Sequence, residues 1–469
     1  MKISTLMGLS CCVFALSVLV ELLSSRCLYA DGAYEFLRVV QAQNFAVLMW
    51  SRHFAYYAYS LPLVLAIKLG VTQLSWLRLA FGLGCFLPWP LALLVCYRIS
   101  PGRFWLVMAG CAAGYLNAGF MAVGEHILAH ALFWPALFVI LFARPLKPWT
   151  AAVLLVCATG LLFCYESQLF LSGSLSLLAL WRAHAERKEN NRAGWTIFLL
   201  AASLFAASVT VGLCGVLMPE HLADFSGFKA GSKAMLEHMG WTLSWTVGWT
   251  VLAIAAAFSE TAWRLISRKP GIFVVFTAIL VWGLWPLLLP YSGDNGIQYD
   301  HRILDMLVPL ALLPIALISR FRPQWIESRT NRLASMAAAL LMAQSLWQIS
   351  ATVPWWRDVV WMRQILASHQ GVVPLHSTVL AADGMLGREL HPNAIGGRFD
   401  WTWPSLSLAL TPCPDVRCFI CSEVFLSPGI RAHYWQPFDP LRPQTLPDLR
   451  HYGISYSDYI AAFRRAASK

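Results

Sequence analysis

The sequence predicts an all-α polytopic membrane protein of about 11 transmembrane helices, followed by a small mixed soluble domain on the outer face. Three observations predict this class. Hydrophobic residues make up 58% of the 469 positions, charged residues only 13%, and the mean hydropathy is +0.58. Apolar runs near the length needed to cross about 30 Å of hydrocarbon recur along the chain. The loops between these runs are alternately rich and poor in Lys and Arg, as in a multi-pass membrane protein. The composition excludes an ordinary soluble globule.

The apolar runs place the candidate spans along the first three quarters of the chain. They lie at 5–24, 72–97, 104–122, 127–143, 149–164, 167–181, 195–217, 242–260, 272–290, 303–319 and 333–350. We therefore expect a transmembrane domain at 1–350 with an outer-face amphipathic loop at 25–71. The tail at 351–469 has no spanning run and is rich in Pro, Trp, Asp and Arg, which predicts a soluble domain. A cleaved signal peptide is the alternative for the first run, because Lys2 precedes it and Ala30 precedes Asp31.

The basic residues divide the loops between two sides of the membrane. By the positive-inside rule, the Arg- and Lys-rich loops are cytoplasmic. They contain Arg98, Arg103, Arg144, Lys147, Arg182, Arg187, Lys188, Arg192, Arg264, Arg268, Lys269, Arg320, Arg322, Arg329 and Arg332. Orientation then explains the net charge of +11 without a nucleic-acid partner. The remaining loops, with their acidic and histidine residues, fall on the outer face, which predicts a multi-pass protein of a bacterial inner membrane with a periplasmic tail.

Three cysteines lie close together in the predicted soluble tail, in CPDVRCFIC. Cys413, Cys418 and Cys421 are near enough in sequence for one disulfide and one remaining thiol in an oxidising compartment. A zinc site is the alternative, and it lacks a fourth ligand at a suitable spacing.

The segment YADGAYEFLRVVQAQNF, at 29–45, follows the first run directly. As a helix it places Asp31, Glu35 and Arg38 on one side and an apolar stripe on the other, which predicts an amphipathic helix in the membrane interface. The alternative role of Asp31 is to cap this helix, since Asp near a helix N-terminus satisfies free N–H groups.

Two more acidic sites are predicted at the outer ends of spans. The sequence GEHILAH carries Glu125, His126 and His130, and the two histidines share a helix face at a spacing compatible with a divalent metal. The order differs from the HExxH motif of zinc proteases. A neutral His130 hydrogen-bonded between helices is the alternative. In CYESQLF, Glu166 lies in a very tight turn, where we expect a site role.

Cationic and mixed groups complete the outer-face set. Asp300, His301 and Arg302 stand at the head of a span, and Arg52 with His53 follows the amphipathic segment. Arg and His suit contact with a phosphate. Each is alternatively an interface anchor among aromatic residues.

These residues favour chemistry on a substrate with an apolar tail and a phosphate head. The first span, the outer loop opening with Asp31 in ADGAYEF, the interfacial helices, the second acidic site at Glu125 and His126, and the outer tail together resemble the GT-C superfamily of integral-membrane glycosyltransferases. The resemblance implies transfer of a hexose or pentose from a polyprenyl-phosphate carrier to an envelope lipid, glycan or protein. It implies Asp31 as the catalytic carboxylate, with Glu125, His126 and Glu166 completing the catalytic site.

Substrate contacts are expected from Glu35, Arg52, His53, Asp300, His301 and Arg302. No nucleotide-binding motif is present, and a divalent cation is the one cofactor that the histidine spacing suggests. A proton- or ion-coupled transporter or flippase of a lipid-linked or polar substrate is the competing class, with Glu166, His130 and Asp300 as carriers. A non-catalytic partner in envelope assembly is the third hypothesis.

Overall fold

The computed structural model describes residues 3–29, 31–47, 50–115, 124–165, 168–217, 259–261, 296–375, 403–412, 415–422 and 440–461. These residues are mostly helical. The helices of the first half are α1 Ile3–Leu23, α2 Asp31–Ala42, α3 His53–Lys68, α4 Leu74–Phe86, α5 Pro88–Ile99, α6 Phe104–Gly110, α7 Glu125–Phe142, α8 Pro148–Leu162, α9 Gln168–Lys188 and α10 Arg192–Leu217. The later elements are α11 Gly296–Phe321, α12 Pro323–Glu327, α13 Thr330–Ser368, β1 Gly371–Leu375, α14 Trp403–Leu410 and β2 Cys418–Ser422.

Among the described residues, four helices are long and apolar enough to cross a membrane. They are α1, α7, α10 and α13, and the pair α4–α5, bent by 42°, would be a fifth. Helix α8 and the segment Val308–Phe321 are apolar but shorter. The predicted spans at 242–260 and 272–290 lie outside the described residues, apart from residues 259 and 260.

Helices α1 and α13 pack side by side and run in the same direction. Near their N-terminal halves, the Ser10 hydroxyl donates to the Ala338 carbonyl at 2.7 Å. Beyond the end of α1, the Arg26 guanidinium donates to the Thr352 hydroxyl at 2.9 Å. The C-terminal ends of both helices therefore lie at the same end of the helix bundle.

Several of the predicted basic loops meet at the other end of the bundle. Arg103, before α6, donates to the Ser319 hydroxyl at 2.9 Å and lies over the ring of Phe142, with 5.0 Å between guanidinium carbon and centroid. Arg182 of α9 donates to the Ala143 carbonyl at 3.3 Å. We call the end of the bundle that contains Arg103, Arg182 and Ser319 the basic end. The 18 residues of α7 separate it by about 27 Å from the opposite end, where that helix begins.

The predicted amphipathic loop at 25–71 contains two helices, and the expected surface position of the first is wrong. Glu35 is buried, as are both apolar neighbours Phe36 and Leu37, because α3 and α14 cover α2. Helix α3 was not predicted, and it packs tightly on α4. There Gly84 faces the backbone carbonyl of Tyr59, and any Cβ at this glycine would overlap that carbonyl.

The tail combines strand and helix and packs onto the bundle. Strands β1 and β2 are parallel, with Gly371 opposite Cys418, and the Ile420 amide donates to the Ser407 hydroxyl of α14 at 3.0 Å. The Tyr452 hydroxyl donates to the Val40 carbonyl of α2 at 2.9 Å. Helix α13 runs unbroken through residues 350 and 351, where the sequence suggests a domain boundary.

The cysteine cluster of the tail does not form a disulfide between its two described members. Cys418 is a free thiol in the core, and Cys418 and Cys421 stand three apart on one strand, so their side chains leave opposite faces. Cys413 lies outside the described residues.

Candidate functional site

An ion pair joins the beginnings of α3 and α7. Arg52 is the last residue of a short 3-10 turn, Trp50–Arg52, immediately before α3, and Glu125 is the first residue of α7. The Arg52 Nη1 and Glu125 Oε1 atoms are 3.1 Å apart. Their side chains are 17% and 11% exposed, so solvent reaches the pair only slightly. A carboxylate at this position also suits the positive end of the helix dipole.

Aromatic side chains enclose the pair. The Tyr56 hydroxyl donates to Glu125 Oε1 at 3.5 Å, a long hydrogen bond. The Arg52 guanidinium carbon lies 4.9 Å from the centroid of the Tyr165 ring, within the range of a cation–π interaction. The His126 ring also lies beside Tyr165, with 5.8 Å between centroids.

Main-chain contacts hold the three segments of this site together. Tyr59 of α3 donates its hydroxyl hydrogen to the Gly124 carbonyl, directly before Glu125. The Phe54 amide donates to the Phe163 carbonyl at 3.0 Å, and the Cys164 thiol donates to the Glu125 carbonyl at 3.4 Å. The side chains of Tyr59 and Cys164 thus hold the main chain at Gly124 and Glu125 in place.

The two histidines at the edges of this site differ in their surroundings. His53 donates from Nδ1 to the Trp50 carbonyl, and its ring packs against Phe163 with 6.1 Å between centroids. This is the aromatic surrounding expected of an anchoring residue. His130, one turn below His126, is buried, and its ring nitrogens have no hydrogen-bond partner among the described residues.

The structure brings together Arg52, His53, Glu125 and His126 of the predicted site. Glu166 lies outside the described residues, although its neighbour Tyr165 contacts both Arg52 and His126. Asp31 begins α2, and its side chain lies outside the described part of the chain.

The remaining predicted substrate residues lie on other elements. Asp300, His301 and Arg302 belong to the first turns of α11, a helix that contacts α7, and their side chains are not described. Glu35 is buried in α2.

Some of the polar residues that the structure pairs were missed in the sequence. Tyr56 and Tyr165 resemble ordinary aromatic belt residues, and no spacing links them to Glu125. Glu21 and Arg26 form a fully buried ion pair, with 3.4 Å between Nη1 and Oε1. The one available signal was the charge of Glu21 within an otherwise apolar run, since intramembrane carboxylates usually have a partner.

The described residues contain no cluster of side chains that supports a metal site. Within the described ranges, no group of three or more His, Cys, Asp or Glu side chains is arranged to hold an ion. His126 and His130 remain two ligands at most on one helix face.

Comparison with known proteins gives no relative: no family model, no curated protein and no solved structure matches the chain. The chemistry of the site is that of a carboxylate held against a guanidinium in a nearly dry aromatic pocket. The carboxylate of such a pair can accept a proton, and the guanidinium can stabilise a negative charge on a bound group.

Proposed function

We propose that this chain is a membrane glycosyltransferase that moves a sugar from a polyprenyl-phosphate carrier to an envelope acceptor. The observation that carries the proposal is the Arg52–Glu125 ion pair, which is only slightly exposed and is lined by Tyr56 and Tyr165. It joins a base and a phosphate-binding cation in one place, at the end of the bundle opposite the basic end.

The two charged groups have complementary tasks in this reaction. Glu125 accepts the proton of the acceptor hydroxyl while the acceptor oxygen bonds to the anomeric carbon. The bond between that carbon and the carrier phosphate breaks, and Arg52 stabilises the phosphate that leaves. Ion pairing before substrate binding keeps Arg52 in position. Asp31 is the second candidate for the base, as the resemblance to the GT-C superfamily implies.

The proposed topology supports a reaction on the periplasmic face of a bacterial inner membrane. Arg103, Arg144 and Arg182 follow the positive-inside rule if the basic end is cytoplasmic. The Arg52–Glu125 pair then faces the periplasm. The parallel packing of α1 and α13 requires an odd number of crossings between them, and eleven spans, with nine between the first and the last, satisfy this. The tail would follow on the periplasmic side.

The test is sugar transfer by the purified full-length protein in lipid nanodiscs. Labelled hexoses and pentoses on polyprenyl phosphates serve as donors, with a bacterial envelope extract as the acceptor mixture. We expect Glu125→Gln to slow transfer by about 100-fold or more, the range of a lost general base, while the donor remains bound. Asp31→Asn, assayed in parallel, decides which carboxylate is the base.

Glu189→Gln is the matched control, because Glu189 is an exposed carboxylate paired with Arg144 near the basic end, with 3.8 Å between Nη1 and Oε1. This variant should transfer at the wild-type rate. Wild-type rates in both Glu125→Gln and Asp31→Asn would refute the proposed mechanism. If wild type transfers none of the sugars, the transferase proposal fails, and substrate uptake into proteoliposomes then tests the transporter.

A further inference from the structure

A polar cavity lies away from the Arg52–Glu125 pair, where the tail meets α4 and α13. Its volume is about 450 Å³. The lining includes Thr72, Ser75, Arg78, Arg363, Thr411 and Tyr452.

Two arginines from different helices share this cavity. Arg78 of α4 donates from Nη1 to the Ala409 carbonyl of α14 at 2.9 Å, which anchors its guanidinium beside the tail. Arg363 of α13 is half-buried, and its positive charge repels that of Arg78. Within the described ranges, neither arginine has a carboxylate partner. Two like charges in a partly desolvated cavity are costly unless an anion compensates them.

We infer that this cavity binds a phosphate group, with Arg78 and Arg363 as its principal ligands. Guanidinium groups match the geometry of phosphate oxygens and form charge-assisted hydrogen bonds with them. The hydroxyl-bearing residues Thr72 and Ser75 in the lining add donors of the kind that phosphate accepts. This inference does not depend on the proposed sugar transfer, because none of the residues of the Arg52–Glu125 pair lines the cavity.

The ligand chemistry is a phosphate ester, carried by a lipid or by a soluble molecule. The segment that lines the cavity, Thr72–Ser75, is flanked in sequence by two exposed apolar side chains. Leu69 is 83% exposed and Trp76 is 59% exposed. An apolar surface beside a phosphate site suits the acyl chains of a lipid whose phosphate occupies the cavity. The experiment therefore compares a phospholipid with a soluble phosphate ester.

The experiment measures ligand retention by the full-length protein with native mass spectrometry. The probes are phosphatidic acid, diacylglycerol with the same acyl chains, and glycerol phosphate. We expect binding of phosphatidic acid and no binding of diacylglycerol. Arg363→Gln should weaken binding about 10- to 100-fold, as expected for a lost hydrogen bond to a charged group. Arg78→Lys keeps the charge and tests whether guanidinium geometry matters.

Arg357→Gln is the matched control, because Arg357 is an exposed arginine on the same helix, α13. It should bind phosphatidic acid as wild type does. Equal weakening in the Arg357 and Arg363 variants would overturn the inference, since general surface charge would then explain binding. Failure of wild type to bind either phosphate probe would also overturn it. Binding of glycerol phosphate alone would support the phosphate site and assign it to a soluble ligand.

Discussion

The buried ion pair of Glu21 and Arg26 should be essential to the packing of α1 against α13. Arg26 and Glu21 are 0% and 1% exposed at the side chain, and 3.4 Å separates Nη1 from Oε1. Ser17 donates to Glu21 Oε1 at 3.0 Å, and Arg26 donates to the Thr352 hydroxyl at 2.9 Å. The pair therefore links the end of α1 to α13 through a hydrogen-bonded chain.

Removing the cation alone should be strongly destabilising. At an effective dielectric constant of about 20, charges 3.4 Å apart attract by about 5 kcal/mol. Breaking a buried pair typically costs about 3–5 kcal/mol, because one charge is left uncompensated. We expect Arg26→Met to lower the free energy of unfolding by about that amount. The double variant Glu21→Gln/Arg26→Met removes both charges and should regain most of the loss.

The assay is reversible unfolding in mixed detergent micelles, followed by tryptophan fluorescence. Arg357→Met, at an exposed position of α13, controls for the loss of an arginine without a buried partner. Wild-type stability of Arg26→Met would refute the argument. So would a double variant that is as unstable as Arg26→Met, because the destabilisation would then come from lost packing.

The remaining predictions concern packing and the tail. Gly84→Ala should destabilise the protein by about 2–3 kcal/mol, because the added Cβ overlaps the Tyr59 carbonyl. Gly8→Ala meets no atom within 4 Å and should be neutral or stabilising by up to about 1 kcal/mol in the same unfolding assay. Burial raises the pKa of the Cys418 thiol to about 12, so maleimide should label it at pH 8 only after unfolding; rapid labelling of the folded protein would contradict this. Because the unfolded thiol ionises near 9, this group's contribution to stability should fall as pH rises from 9 to 12. Tyr452→Phe should cost about 1 kcal/mol through its lost hydrogen bond to α2, and an unchanged unfolding free energy would show that this bond adds nothing.

Apolar runs and their positions could be predicted from sequence. The run predicted at 127–143 is helix Glu125–Phe142, and the run at 149–164 is helix Pro148–Leu162. Length and hydropathy are local properties, and the hydrocarbon thickness against which they are measured is fixed. The grouping of Arg103, Arg144 and Arg182 at one end follows from the same alternation of helices.

Burial of the amphipathic segment could not be predicted in this way. Helical spacing places Glu35 and Arg38 on one face, and this face alone suggested contact with the membrane interface. Helix α14, about 370 residues later in the chain, covers α2 instead. A helical period describes the faces of a helix and contains no information about which distant element packs on each face.

The amino-acid sequence alone thus determined where several of the apolar helices form and which loops carry positive charge. Only the tertiary structure decided which charges meet: Arg52 with Glu125, and Arg78 with Arg363. The physical reason is distance along the chain. Residues within one helix pair by a fixed spacing of three or four, whereas residues on different helices meet only where packing aligns those helices.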